Sequence, residues 1–154
     1  MRVRSSSLLF CVGAWMPNRD NLNQWIQADL ITTHRIESVT TRGKPGSYAC
    51  WVTAYFVSHS PDETSWVEIS TPFEANDDGG TMKTNLLPDN IEARFIRLSP
   101  NSWNYYICMR FDVTGCAVTG TITFRLLRQE RRPCLALPWA DDVRSRGVVA
   151  LVAV

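Results

Sequence analysis

The chain has 154 residues, of which 45% are hydrophobic and 20% charged, a balance that excludes a disordered protein and predicts one folded domain. Residues 13–116 carry 8 basic and 12 acidic side chains, whereas residues 117–154 carry 6 and 3. The part that is expected to fold therefore lacks the positive surface that binds nucleic-acid phosphates, and nucleic acid is not an expected partner.

Residues 1–12 differ in character from the rest of the chain. Arg2 and Arg4 precede an apolar run that ends at Val12, and Val12-Gly13-Ala14 resembles the cleavage site of a secretory signal. The segment is either a short signal peptide or an unmatched leader. No stretch of the chain reaches the roughly 20 apolar residues of a membrane-spanning helix, so no transmembrane segment is expected.

Residues 24–30 predict a short strand that is covered on both sides, after a loop at 13–23. Ile26, Ala28 and Leu30 alternate to give one apolar face. The other face carries Trp25, whose large apolar surface must also be partly covered. A carboxylate at position 29 then either faces solvent or meets cationic donors from later strand-like segments. The acid is Asp29, and the candidate donors are Arg94, Arg97 and Arg110.

Further strands alternate with turn-forming residues along the rest of residues 13–116. No helical period persists there, and many short strands separated by turns predict an all-β jelly-roll sandwich. The predicted strands are 34–41, 51–58, 66–70, 81–86, 94–99 and 109–114.

The chain has five cysteines, and no two of them form a C-x-x-C pair. A zinc site is not expected without closely paired ligands, so disulfides are favoured, with at least one thiol left over. Cys50 and Cys108 each lie at a strand edge and are either a disulfide or two buried free thiols.

The sequence has none of the motifs of common enzymes. It lacks a nucleophile elbow, a zinc-protease motif, a phosphate loop and a dinucleotide fingerprint, so no catalytic residue or cofactor is expected. The acidic stretch with Asp77 and Asp78 is typical of a turn, without the spacing of a calcium-binding EF-hand loop.

Eight blocks of residues, in order over about a hundred positions, resemble the discoidin, or coagulation factor V/VIII type C, domain. This resemblance implies a secreted or cell-surface jelly-roll module that binds its ligand through loops at one end. The blocks are Gly13-Ala14-Trp15-x-Pro17, Gln24-Trp25-Ile26-Gln27-x-Asp29-Leu30, Trp51-Val52-Thr53-x-Tyr55, Trp66, Phe73-x-x-Asn76-x-Asp78, Ala93-Arg94-Phe95-Ile96-Arg97-Leu98-x-Pro100, Trp103, and Met109-Arg110-Phe111 through Gly115-Cys116.

The chain also departs from that family. The family has an earlier segment that holds a strand, a ligand loop and a cysteine pairing with the position of Cys116. Cys11 is a candidate replacement for that partner. We therefore expect a partial discoidin-like domain at 13–116, incomplete at its N-terminal side, between a leader at 1–12 and an unmatched basic tail at 117–154. A truncated structural fragment of a larger secreted protein, without binding activity of its own, is the alternative function.

The resemblance also implies which residues contact a ligand. Residues of two loops match ligand-contacting positions or lie in ligand-contacting loops: Met16, Asn18, Asp20, Lys44, Ser47 and Tyr48. An anionic phospholipid would need apolar tips with basic neighbours, a glycan would need an aromatic platform such as Tyr48, and a basic protein segment would pair with Asp20. The plain alternative is that these loops are polar because they are exposed.

Overall fold

The computed structural model describes residues 2–4, 13–118 and 150–153, and within these ranges the regular elements are strands, without a helix. The prediction of an all-β protein is confirmed. The described strands are β1 (Arg2–Arg4), β2 (Ile26–Arg42), β3 (Trp51–Ser60), β4 (Val67–Glu68), β5 (Phe73–Glu74), β6 (Lys83–Asn104), β7 (Arg110–Ala117) and β8 (Ala150–Ala153).

Two long strands, β2 and β6, each contribute to both layers of the fold. Residues 26–29 of β2 pair with residues 95–98 of β6, which in turn pair with β3. The later part of β2 pairs on one side with residues 83–93 of β6 and on the other with β7. Side chains from both parts enter one hydrophobic core, so the antiparallel sheet curls over on itself. β4 and β5 pair with β3, and β8 and β1 continue the sheet beside β2.

Hydrogen bonds of Asp29 stabilise the point at which β2 passes from one layer to the other. The ladder with β6 changes register between Asp29 and His34, and Ile31 has a φ of 70°, which is rare for a β-branched residue. Asp29 Oδ1 accepts a hydrogen bond from Ile31 N at 2.8 Å, and its two carboxylate oxygens accept from Arg94 Nε and Nη2 at 2.7 Å each. The bond to Arg94 is the main reason why the pKa of Asp29 is lowered. Of the two alternatives for Asp29, the arginine partner is the correct one, and the partner is Arg94.

The face of β2 opposite its apolar face is covered by a stack of side chains. Arg97 lies between Trp25 and Trp66, with its Cζ 4.0 and 3.9 Å from the ring centroids. Gln27 is only 1% exposed, and its Oε1 accepts from Nε and Nη2 of Arg97 at 3.2 and 2.9 Å. The amide Nε2 of Gln27 donates to Glu63 Oε1 at 2.9 Å. The sequence prediction that this face is partly covered is confirmed.

The predicted strand boundaries are wrong where turn-forming residues lie inside a strand. Ser38 of β2 pairs with Leu86 of β6, whereas Ile36 pairs with Ile91. The residues of β6 around Pro88 therefore form an irregularity within one strand rather than a loop between two strands. Predicted strands 24–30 and 34–41 are parts of β2, 81–86 and 94–99 are parts of β6, 66–70 is reduced to Val67–Glu68, and Phe73–Glu74 was not expected.

Candidate ligand-binding end

Three segments meet at one end of the fold: loop A (residues 13–25), loop B (43–50) and loop C (105–109). Three consecutive residues of loop C are bonded to loops A and B. Ile107 N donates to Asp20 Oδ1 of loop A at 2.7 Å. Met109 exchanges two backbone hydrogen bonds with Trp15 of loop A, at 3.0 and 3.1 Å. Cys108, between them, is bonded to loop B. The two loops that sequence analysis singled out therefore lie at the same end.

The bond between loops B and C is a disulfide. Cys50 and Cys108 are joined with their Cα atoms 5.4 Å apart, and both residues are buried. The disulfide interpretation of these two cysteines is thus confirmed, and the free-thiol alternative is wrong. Cys116 is also disulfide-bonded. Cys11, the candidate replacement partner, lies outside the described residues.

The tips of loops A and B carry the predicted contact residues at their exposed positions. Met16 is 46% exposed and Tyr48 is 82% exposed, values that are high for an apolar and an aromatic side chain. Asn18 and Ser47 are exposed as well. These four side chains are available to a ligand.

Two predicted contact residues also support the loops from within. Asp20 uses one carboxylate oxygen for Ile107 N, so its carboxylate fixes loop A to loop C. Lys44 is half-buried, and its backbone exchanges hydrogen bonds with Cys50 at 2.9 and 3.2 Å, which closes loop B at its base. Both residues therefore shape the loop end.

Sequence analysis missed the aromatic residues of loop C. Tyr105 is 81% exposed and Tyr106 is 54% exposed, and they come directly after the last residue of β6. Leu22 of loop A, 66% exposed, was missed too. A pair of adjacent tyrosines between two strands was the available signal, because aromatic residues in a connecting segment are seldom placed there for the core.

A fourth segment, residues 76–82, supports loop B from the side. A side chain at Gly79 would collide with the backbone carbonyl of Lys44, so this close approach requires glycine. Buried Asn76 donates from Nδ2 to the carbonyl oxygens of Thr41 and Thr81 at 3.1 and 2.8 Å. Asp78 accepts from Thr81 N, which is the main reason why its pKa is lowered. The stretch is a structural turn, as expected.

The sides of that segment form a shallow cavity of about 160 Å³. Within the ranges that the structure describes, no three His, Cys, Asp or Glu side chains come close enough to hold a metal ion. In the same part of the chain there is no helix with the length and apolar character needed to cross a membrane. The cavity is lined by Asn76, Asp77, Asp78, Thr81, Met82 and Lys83.

Comparison with known proteins places this geometry in a family. Residues 5–113 match the model of the F5/8 type C domain. Coagulation factor VIII of Canis lupus familiaris is 32% identical over 109 residues, and lactadherin of Bos taurus is 29% identical over 111 residues. Each match covers 67% of this chain, but only 5% of factor VIII and 26% of lactadherin.

The fold comparison agrees with the sequence comparison. The native structure of recombinant discoidin II of Dictyostelium discoideum superposes with a TM-score of 0.63 and 27% identity, over 69% of this chain and 42% of that one. Discoidin-type domains are generally binding modules without catalytic activity. This chain belongs to the F5/8 type C, or discoidin, family.

Proposed function

We propose that this chain is an extracellular recognition module whose loops A, B and C contact a cell-surface ligand, and that an anionic phospholipid surface is the ligand this end fits best. A glycan and a receptor or matrix protein are the other candidates. The buried disulfide between Cys50 and Cys108 supports an extracellular location, because such bonds persist in oxidising compartments.

The observation that carries the proposal is the exposure of apolar and aromatic tips on all three loops. Met16, Tyr48 and Tyr105 are each exposed and come from different segments that are fastened to one another. A membrane interface can receive several projecting tips at once, since each buries apolar surface near the headgroups. Tyrosine suits that depth because its ring is apolar and its hydroxyl stays hydrated.

The charges around the tips are compatible with an anionic surface. Arg19 is exposed on loop A, and Lys44 lies at the base of loop B. Each basic group near an anionic lipid surface contributes about 1 kcal/mol of attraction. The carboxylates of Glu74 and Asp77 both lie 3.8 Å from the ammonium group of Lys83 and are partly neutralised by it.

Vesicle co-sedimentation tests this function. The full chain should sediment with phosphatidylcholine vesicles that contain phosphatidylserine, and much less with phosphatidylcholine alone. Tyr48→Ala should weaken that binding, because it removes an exposed ring from loop B. Val67→Ala is the matched control, since Val67 is an exposed apolar residue on β4, paired with the far part of β3.

The same preparation is applied to a glycan array and to immobilised matrix proteins. Capture there, with vesicles ignored, would replace the phospholipid by another ligand class. If the chain binds none of these probes, the alternative of a structural fragment without binding activity is correct.

A further inference from the structure

One edge of β2 is covered by two different strands, β7 and β8. β6 pairs with one side of β2, and on the side that β6 leaves free β7 pairs with residues 34–42 and β8 with residues 26–29. We infer that the edge at residues 26–29 is a strand-acceptor site, and that β8 of a second copy of this chain occupies it in a strand-exchanged dimer. The inference does not depend on which ligand the loop end binds.

The acceptor edge requires a partner strand because its residues are buried. Ile26 and Ala28 are each 2% exposed, and Gln27 between them is 1% exposed. A backbone N–H or C=O group that is withdrawn from water is unfavourable unless it has a hydrogen-bond partner. A strand edge that loses its partner therefore pairs readily with a strand of another chain. An extended segment on this edge stabilises the fold, whichever copy supplies it.

β8 provides that segment through an antiparallel ladder. Residues 150–153 lie opposite residues 26–29, with Leu151 opposite Ala28, and the other side of β8 pairs with β1. The sequence of residues 148–154 is apolar throughout, which is typical of a strand covered on both faces. The same backbone pairs would form if β8 came from a neighbouring copy, so exchange between copies gains and loses no contact in the ladder.

The length of chain between β7 and β8 identifies a second copy as the partner. Val118, directly after β7, donates from its backbone nitrogen to Thr33 O at 2.9 Å, and β8 begins at Ala150, opposite Asp29. Thr33 and Asp29 are four residues apart on β2, a distance of at most roughly 13 Å. The sequence places 31 residues, 119–149, between the two strands, and such a length reaches up to about 100 Å when extended. This connection is long enough for β8 to reach the same edge of another copy.

Protein concentration during folding should decide between the closed monomer and the exchanged dimer. A tethered strand competes with the same strand of another copy at an effective concentration of about 1 mM. The full chain is unfolded in guanidinium without reductant, which leaves its disulfides intact. Refolding at about 1 mM should give more dimer in analytical ultracentrifugation than refolding at about a hundredfold lower concentration. Val152→Pro removes a backbone donor from β8 and should abolish the dimer, and a dimer that persists in this variant would overturn the inference.

Two variants, each with one added cysteine, show whether β8 is exchanged in the dimer. Ala28→Cys and Leu151→Cys chains are mixed, refolded together and oxidised. Opposite residues of an antiparallel ladder have Cα atoms about 4.5–5.5 Å apart, a separation that suits a disulfide. Only exchange between copies brings these two thiols together, so mass spectrometry of non-reduced peptides should detect a heterodimer linked at positions 28 and 151. Leu22→Cys in place of Ala28→Cys is the control, since Leu22 is exposed on loop A.

The double variant Ala28→Cys, Leu151→Cys completes the test. Refolded at low concentration, it should form the link within one chain, as the register of β8 on β2 requires. If it does so while the mixture gives no more heterodimer than the Leu22→Cys control, the edge accepts β8 from its own copy alone and the inference is wrong. A double variant that forms no such link would overturn the inference as well. Neither result affects the proposed function, which vesicle binding tests separately.

Discussion

The carboxylate of Asp20 accepts a hydrogen bond from the backbone nitrogen of Ile107 at 2.7 Å, across 87 residues of sequence. Sequence reasoning treated Asp20 as a residue for the ligand. In the structure one of its oxygens is already engaged in holding loop A to loop C, so substitution at this position changes the shape of the loop end as well as its charge.

Two substitutions at Asp20 should separate these roles. Asp20→Ala removes the acceptor for Ile107 N and should lower the free energy of unfolding by about 1 kcal/mol. Asp20→Asn keeps a side-chain oxygen there and should unfold close to the unchanged chain. Urea titration measures both. If Asp20→Asn loses ligand capture although its stability is retained, the negative charge itself contacts the ligand; equal stability of Asp20→Ala would contradict the structural role.

The disulfide is predicted to be the strongest single constraint on the loop end. Cys50 and Cys108 close a loop of 58 residues. The chain-entropy model assigns about 4 kcal/mol to a bridge of that span. The double variant Cys50→Ala, Cys108→Ala should therefore unfold at a much lower denaturant concentration. Because Cys116 is also disulfide-bonded, the comparison is made without reductant, which would break both bonds. Mass spectrometry of non-reduced peptides should detect the peptide pair linked by Cys50 and Cys108 in the unchanged chain only.

Asp29 should make stability depend on pH. Its pKa is lowered in the folded state, chiefly by the hydrogen bond from Arg94. The unfolded chain therefore takes up a proton at this group first as the pH falls below about 4, and the stabilisation by the ion pair is lost over that range. Above it the stabilisation is fully present.

Asp29→Asn serves as the comparison protein for this effect. It should be less stable than the unchanged chain at neutral pH, and the difference should shrink as the pH is lowered toward about 3. The difference between the two proteins is the relevant quantity, since other carboxylates titrate in both. A gap in unfolding free energy that stays constant over the whole range would show that the ion pair is not responsible.

Arg97 should not be replaceable by lysine. Its planar guanidinium lies between Trp25 and Trp66 and donates twice to Gln27, and a lysine ammonium cannot do both. Arg97→Lys should lower the free energy of unfolding by about 1–2 kcal/mol.

Arg19→Lys is the control for that substitution, because Arg19 is an exposed arginine of loop A. It should change stability by less than about 0.5 kcal/mol. Urea unfolding followed by tryptophan fluorescence measures both variants, and equal midpoints would show that the stack between the two indoles is energetically unimportant.

Alternation of apolar residues was sufficient to predict the faces of the central strand. Ile26 and Ala28 enter the core as their spacing indicated, and the size of Trp25 correctly implied that the second face is covered. Such patterns work because side chains along a strand alternate strictly between its two sides. They failed at Ile31 and Pro88, where a strand bends without ending, since residues that disfavour a regular strand also occur in bulges.

The site was predictable only in part. Met16 was named from a matching ligand-contacting position in the family and Tyr48 from its place in a ligand-contacting loop, and both are exposed on loops that meet. The cysteine pattern did not decide whether Cys50 and Cys108 form a disulfide, because pairing depends on distances in space that the spacing along the sequence does not contain. The adjacent tyrosines of loop C were a signal in the sequence, but the position of this loop beside Asp20 and Cys50 depends on distances that the sequence does not contain.

The continuity of β2 and β6 through both layers bears on how this protein comes apart. Because β2 and β6 run through both layers of the sandwich, one layer cannot unfold while the other stays folded. Thermal unfolding should therefore occur in one cooperative step, and no intermediate with only one folded sheet should accumulate.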